Sequence, residues 1–366
     1  MTTQPAPVYA LILAGGAGTR FWPASRAMRP KQLLPLLGGD PLILETAKRV
    51  LPLTGGWSHI AVASGEHLAE ATTAALPDLP AENLLLEPVP RNTAPCIGWA
   101  SAWLARRSPE AVMMVLPSDH AIVDVPRFQE TLARAVASAR RGVVTTVGIR
   151  PTHPETGYGY IEVEGEASAG EALPVKRFVE KPPRATAEAF VASGRYLWNA
   201  GMFFFRAKDM LSAIEEHLPA LSEGLHLLDR AASEGREAEA LERIFPTLPA
   251  VSIDKGVMEH MSELAVVPGD FGWNDVGSWE SAHALAAKDA QGNAAPAGTV
   301  LLHASNNHVV DLRETTEKKR IIALVGVEDL VIVETDDALL VMPRSRAQDV
   351  KEVVEALKKR GDSALI

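Results

Sequence analysis

A single cysteine, Cys96, stands among 366 residues, so the chain has neither a disulfide framework nor a cysteine metal cluster. Its expected place is the buried side of a helix, as a small apolar residue. No basic segment followed by an apolar stretch opens the sequence, and no run reaches the length of a membrane span. The expected compartment is the cytoplasm. Positive charge is also short: 36 Lys and Arg stand against 46 Asp and Glu, a formal net charge of −10. A nucleic-acid or membrane partner calls for a basic face, which this balance disfavours. Any polyanion must therefore bind in a local positive pocket on an acidic body. What is present, 47% hydrophobic and 22% charged residues, suits a globular enzyme with one large domain and one smaller.

Two phosphate-binding signatures are missing as well. The apolar run Leu11-Ile12-Leu13-Ala14 pours into Gly15-Gly16-Ala17-Gly18-Thr19-Arg20, and Arg29 and Lys31 follow closely. No Lys-Ser or Lys-Thr pair comes after the glycines, which excludes a P-loop. A dinucleotide fingerprint needs a third glycine opening a helix, but Pro23 stands close behind Gly18. The remaining chemistry is clear. Glycines let backbone N–H groups approach a polyphosphate, and Arg20, Arg29 and Lys31 supply fixed positive charge.

Short apolar runs at Tyr9–Ala14, Ile60–Ser64, Leu84–Glu87, Val112–Leu116 and Val143–Gly148 alternate with helical patterns at 43–51, 67–75, 94–107 and 127–140. This alternation predicts a doubly wound α/β fold, a mixed and mostly parallel sheet with helices on both faces. Ligands of such sheets gather at the carboxyl ends of the strands. Further strands follow near Gly157, Lys176 and Gly201, some of them antiparallel, and then one long helical region from about Lys208 to Glu242. The Gly292–Gly298 stretch reads as a linker. It divides residues 1–285 from a small β-rich domain, residues 293–366, that ends in a helix over 345–360.

Several segments at strand ends carry chemistry. Asp119, in Pro117-Ser118-Asp119-His120, suits a magnesium ligand beside a polyphosphate, and equally a turn carboxylate. Asp275, in Trp273-Asn274-Asp275-Val276-Gly277-Ser278-Trp279, offers a second carboxylate, in a loop that could also be a tryptophan-anchored turn. In Glu87-Pro88-Val89-Pro90-Arg91-Asn92-Thr93, Arg91 and Asn92 suit a purine edge, while Thr93 reads as the N-cap of the next helix. Glu180 and Lys181 pair a sugar-hydroxyl acceptor with a phosphate-binding ammonium, or form a surface ion pair. Asn199 beside Gly201 suits a hydroxylated ligand, and Gly157-Tyr158-Gly159-Tyr160 completes the set.

In this order, these segments resemble the sugar-1-phosphate nucleotidylyltransferases over residues 8–280, and in form the bacterial mannose-1-phosphate guanylyltransferases. Arg91–Pro95 points, within that family, to guanine and mannose. The resemblance implies a nucleotide-diphospho-sugar transferase fold with a β-helix-like C-terminal domain that packs on the catalytic part and has the capacity to build a homodimer. It also implies the reaction GTP plus mannose 1-phosphate giving GDP-mannose and diphosphate, with Mg2+ as cofactor. Carried over by residue, Arg20, Lys31 and Lys181 are catalytic. Ala14, Gly15, Gly16, Gly18, Thr19, Glu87, Arg91, Asn92, Thr93 and Ser118 bind the nucleotide. Gly157, Glu180, Asn199 and Gly201 bind the sugar, and Asp119 and Asp275 hold the metal. Many relatives carry a further isomerase domain. The tail here offers only His303 and His308 as histidines, read as surface or turn residues, so a second activity is not expected. Transfer to another base or hexose 1-phosphate, a sugar-nucleotide-dependent glycosyltransferase and a silent regulatory subunit are the alternatives. Ser118-Asp119-His120 is a poor substitute for the Asp-x-Asp motif of the glycosyltransferase.

Overall fold

The apolar runs of the first 120 residues form the parallel half of one sheet. The structure is a computed structural model that describes residues 6–16, 18–164, 171–313 and 320–366; Ala17 of the glycine run lies outside them. β1 (Val8–Leu13) pairs in parallel with β2 (Ile60–Gly65) on one side and β4 (Val112–Pro117) on the other, and β3 (Leu84–Glu87) adds to β2. β2 and β4 are buried on both faces along nearly their whole length, which is why their sequences are apolar without alternation. The chain winds outward to β3 and returns on the other side of β1, so β1 and β4 flank a switch point of the kind where α/β sheets bind ligands. The glycine run leaves β1 and Ser118-Asp119 leaves β4.

After the two-residue β5 (Ala121–Ile122) come β6 (Val144–Ile149), β7 (Gly159–Val163), β8 (Leu173–Glu180), β9 (Tyr196–Arg206) and β10 (Leu264–Gly269). The nine-stranded order is β3-β2-β1-β4-β9-β6-β10-β8-β7, and a further β7–β9 pairing closes the last five strands into a ring. β8 and β9 run against the other seven, giving the mixed, mostly parallel sheet expected. The helices α1 (Leu42–Thr54), α2 (Ala69–Ala75), α3 (Thr93–Arg107) and α4 (Val125–Arg140) also fall where periodicity placed them, and Cys96 is buried in α3. α5 (Arg184–Ser193) precedes β9.

The long helical region expected from about Lys208 to Glu242 is present and is divided into three helices: α6 (Ala207–His217), α7 (Pro219–Ser233) and α8 (Glu237–Ile244). Pro219 forces Leu218 out of helical geometry, and Gly235 takes a left-handed φ of 74° that ends α7. Trp99 and Trp103 of α3, Phe203 and Phe205 of β9, and Leu221 and Leu225 of α7 meet in the main core.

Compactness divides the chain otherwise than at a single linker. One unit holds the sheet and its helices; the other gathers residues 16–45, 119–121 and 274–366. The reason is a second core in which Phe21, Trp22, Leu34, Val276 and Trp279 pack against Val331, Val333, Met342, Val350 and Val354. Past β11 (Trp273–Asn274) and α9 (Trp279–Leu285), β12 (Val300–Leu302) pairs in parallel with β14 (Ala323–Val325), and β13 (His308–Asp311) with β15 (Leu330–Glu334). These two pairings and the Ser305–Glu328 bridge join residues 23 positions apart, and a parallel bridge from Ala294 to His308 adds a shorter turn, so the tail winds as a β-coil. β16 (Leu339–Pro343) then doubles back on β15.

Two expectations need correction here. Gly292–Gly298 is no free linker, because Asn293 and Ala294 are buried and bonded into the coil. The start of β13 buries His308, whose ring meets those of His283 and Trp279, whereas His303 is an exposed turn residue. A 3-10 segment, Arg344–Asp349, delays the start of the last helix, α10 (Val350–Arg360).

Candidate active site

The coil-bearing unit holds one cluster. Gly16 is exposed, and a Cβ there would meet nothing within 4 Å. Gly18 differs. It sits at φ 60°, and a Cβ would lie 2.6 Å from Lys31 Cβ, so only glycine lets the Lys31 turn come this close. Thr19 opens the short 3-10 turn that carries Arg20, whose guanidinium is exposed and reaches Gln348 Oε1 at 3.4 Å. Lys31 is buried to its tip. Its Nζ lies 2.9 Å from Asp119 Oδ2 and donates to the Asp275 carbonyl at 2.7 Å, with the Phe21 ring 5.7 Å away. Burial opposes ionisation of Asp119, but the charges of Lys31 and His120 outweigh it and hold the carboxyl below its usual range.

The loop that carries Asp275 is pinned on both sides. Asn274 Oδ1 accepts the Val276 N–H at 2.7 Å, and Val276 is fully buried at φ 46°, a strained setting for a β-branched residue. Trp279, also fully buried, donates from Nε1 to the Trp22 carbonyl. Gly277 leaves room for the Asp275 carboxylate, since a Cβ there would approach Oδ2 at 2.7 Å. The loop is tryptophan-anchored and still presents a carboxylate. Among the described residues no three His, Cys, Asp or Glu side chains gather as a metal cage.

The sheet unit holds the remaining candidates in two groups. Ala14 is buried and donates its N–H to Ala63 O, Gly15 is exposed, and buried Ser118 bonds through its backbone to Leu13 O and Thr46 Oγ1. Glu87 ends β3, where burial lifts its carboxyl to about 7. Its Oε1 and the Nε of Arg91 are buried with no hydrogen-bond partner. Orphaned polar atoms of this kind mark a place where something else supplies the bonds. Thr93 is not the N-cap of α3. Asn92 is, at φ 67°, with its side chain accepting the Thr93 N–H, because Thr93 Oγ1 is already spent accepting the N–H of Ile253.

The second group surrounds Glu180, whose side chain is 8% exposed and whose carboxylate pairs with Lys181 Nζ. Lys181 itself is exposed, and its φ of 50° is held by an N–H bond to Tyr158 O. The register sets Gly159 opposite Glu180 and Gly148 opposite Asn199. A Cβ at Gly159 would strike Glu180 Oε2 at 2.6 Å and Asn199 Cβ at 3.2 Å. Gly159 thus shapes this site more directly than Gly157, whose N–H is bonded to Glu155 Oε1. Asn199 Oδ1 accepts from Gly201 N and Thr146 Oγ1, each at 3.1 Å; Gly201 takes a left-handed φ of 68°.

Two acids escaped the sequence reading. Asn199 Nδ2 donates to Asp254 Oδ1 at 2.9 Å, and Glu259 Oε1 accepts the N–H of Glu180 at 2.8 Å. Both belong to one π-helical turn, closed by Glu259 N–H on Asp254 O. Burial first, and then the charge of Glu180, raise the Asp254 carboxyl to about 6. Ser252-Ile253-Asp254-Lys255-Gly256 has no motif spacing to betray it, and only its place just ahead of β10 offers a signal.

A nucleotidyl transferase family model matches residues 9–292. The chain belongs to the nucleotidyl transferase family. A second model, the MannoseP isomerase/GMP-like beta-helix domain, matches residues 305–357, where the coil lies. This nucleotidyl transferase is 42% identical to xanthan biosynthesis protein XanB of Xanthomonas campestris pv. campestris (strain B100), over 97% of its own chain and 74% of that protein. It is also 42% identical to the mannose-1-phosphate guanylyltransferase of Klebsiella pneumoniae, over 95% of its chain and 74% of that one. A crystal structure from Thermus thermophilus, described as a mannose-1-phosphate geranyltransferase, superposes with a TM-score of 0.84 at 34% identity. That match covers 96% of this chain and 99% of the other.

Proposed function

We propose that this nucleotidyl transferase joins GTP and mannose 1-phosphate to give GDP-mannose and diphosphate. Relatives 40–42% identical along at least 95% of the chain, named mannose-1-phosphate guanylyltransferase, support that choice of substrates. The geometric observation that carries nucleotidyl transfer is the single Lys31 ammonium seated on both the Asp119 carboxylate and the Asp275 loop. The phosphate of a sugar 1-phosphate is already anionic at neutral pH, so its oxygen attacks the α-phosphorus without a general base. The protein's task is then to align two polyanions and to offset charge as diphosphate leaves.

The backbone amides of the exposed Gly15 and Gly16, with Arg20 and Lys31, receive the triphosphate in this scheme. Ala14, Gly18, Thr19 and Ser118 shape its approach. Glu87 and Arg91 read the guanine, with Asn92 and Thr93 at the helix start beneath; the guanine N1–H and amino group would donate to Glu87 and satisfy its orphaned Oε1. Lys181 bridges the sugar phosphate and the α-phosphate, while Gly157, Glu180, Asn199 and Gly201 address the mannose. Asp119 and Asp275 would hold a hard divalent cation, Mg2+. Two carboxylates fit an ion that takes its other ligands from water and phosphate, and its contribution there is charge neutralisation. The same proposal takes the protein to be a cytoplasmic homodimer; among the described residues no helix is long and apolar enough to cross a membrane.

The deciding experiment is a matrix of nucleoside triphosphates against hexose 1-phosphates, with and without EDTA, scored by diphosphate release. GTP with mannose 1-phosphate should exceed every other pair at least tenfold and stop in EDTA. A higher kcat/KM for another base or sugar would reassign the substrates. Consumption of GDP-mannose with no diphosphate released from GTP would favour a glycosyltransferase.

A further inference from the structure

Asn199 has less to offer a sugar than its place suggests. Gly201 N–H fixes which end of its amide is oxygen, and Thr146 shares a hydroxyl proton with that same atom, so its acceptor capacity is filled from within the protein. One of its two N–H groups is spent on Asp254, leaving a single donor. A hexose presents several O–H groups and needs acceptors for them. Glu180 supplies one carboxylate, already compensated by Lys181.

The second carboxylate in reach is Asp254. It is partly buried, tied to Asn199 through Oδ1 alone, and a carboxylate has room for about four hydrogen bonds. Its turn is doubly anchored, since Glu259, five residues on, takes the Glu180 amide. Moving Asp254 therefore means moving the backbone that sets both Asn199 and Glu180.

We propose that Asp254 is a hexose-binding residue whose carboxylate accepts a sugar hydroxyl, with Glu259 as the positioning residue for Glu180. This rests on the sugar-1-phosphate transfer proposed above. Burial first, and then Glu180 from the end of β8, oppose the ionisation of Asp254, while its own backbone N–H, Lys181 and Asn199 favour it. Ligand hydroxyls donate to the ionised form, so hexose binding weakens as the carboxyl takes up its proton.

The test is steady-state kinetics of Asp254→Asn across pH 5–8, varying each substrate with the other saturating. The KM for mannose 1-phosphate should rise tenfold or more, with the KM for GTP within twofold of wild type. Wild-type kcat/KM for the sugar phosphate should fall below about pH 6, and this limb should be missing from the variant. Glu259→Ala removes the acceptor of the Glu180 amide and should raise the KM for mannose 1-phosphate severalfold with the KM for GTP unchanged, and Glu259→Gln, which keeps an acceptor, should restore it; an unchanged sugar KM in Glu259→Ala removes Glu259 from the positioning role. A sugar KM within twofold in Asp254→Asn, or equal rises for both substrates together with a lowered melting temperature, overturns the proposal. Wild type inactive with every pair of substrates would overturn the transfer reaction and this proposal with it.

Discussion

Burial without a partner is the most telling state of any side chain here, and Glu87 with Arg91 shows it best. A carboxyl lifted to about 7 is half protonated at neutral pH, which a guanine N–H edge would reverse by donating to the charged form. The sign follows from the raised value: the ionised fraction grows as pH rises through about 7 and is lost as pH falls through it. We expect kcat/KM for GTP to fall as pH drops through about 7, and Glu87→Gln to be ten- to a hundredfold poorer and flat across that range. A pH profile unchanged in the variant would remove Glu87 from base reading. Lys31, Asp119 and Asp275 were legible because each sits in a segment of unusual composition behind an apolar strand. Asp254 was not, because its meaning lies in Asn199, 55 residues away, and in a carboxylate at Glu180 that no local spacing reveals.

At the scale of elements, strands and short helices could be read from the sequence because their apolar periods are imposed by burial on both faces of the sheet. The ends and interruptions could not. Pro219 and Gly235 are the punctuation that divides one polar, alanine-rich run into three helices, and Thr93 lost its capping role to a tertiary bond with Ile253. The coil hides its logic in single buried polar residues. Asn307 is fully buried; it donates from Nδ2 to Asn293 Oδ1 and Val327 O, and its Oδ1 accepts the Leu330 N–H. It thereby staples successive turns. Asn307→Ala removes these bonds and leaves buried groups unpaired, at a cost of about 3 kcal/mol. A chemical-denaturation midpoint within error of wild type would contradict that role.

For the whole molecule, family membership accounts for the order of the segments, but the division into units had to come from packing. Residues 16–45 carry no sequence signal that they belong with a tail about 250 positions later; Phe21 and Trp22 become intelligible only against Trp279, Val331 and Val354. The same unit bears the exposed aliphatic side chains of the coil: Val300, Leu302 and Val325 along β12 and β14, and Leu339 and Val341 on β16. The paired strands β12 and β14 thus expose neighbouring aliphatic side chains, which suit a second copy of the chain. Sedimentation velocity at micromolar concentration should give a dimer, and Leu302→Glu with Val325→Glu should return it to monomer. A wild-type monomer at that concentration would end the homodimer proposal.

One consequence concerns time. Lys31 finds the carbonyl it holds 244 residues further along the chain. At translation rates of about 5–20 residues per second, the glycine run and its lysine wait roughly 10–50 s on the ribosome before that partner exists. Through that interval the sheet can close around β1 while the Phe21–Leu34 segment stays open to chaperones, proteases and neighbouring chains. The Lys31 site is thus completed only long after the strands around β1 are made, and a product stalled before residue 275 would carry those strands with no Lys31 site.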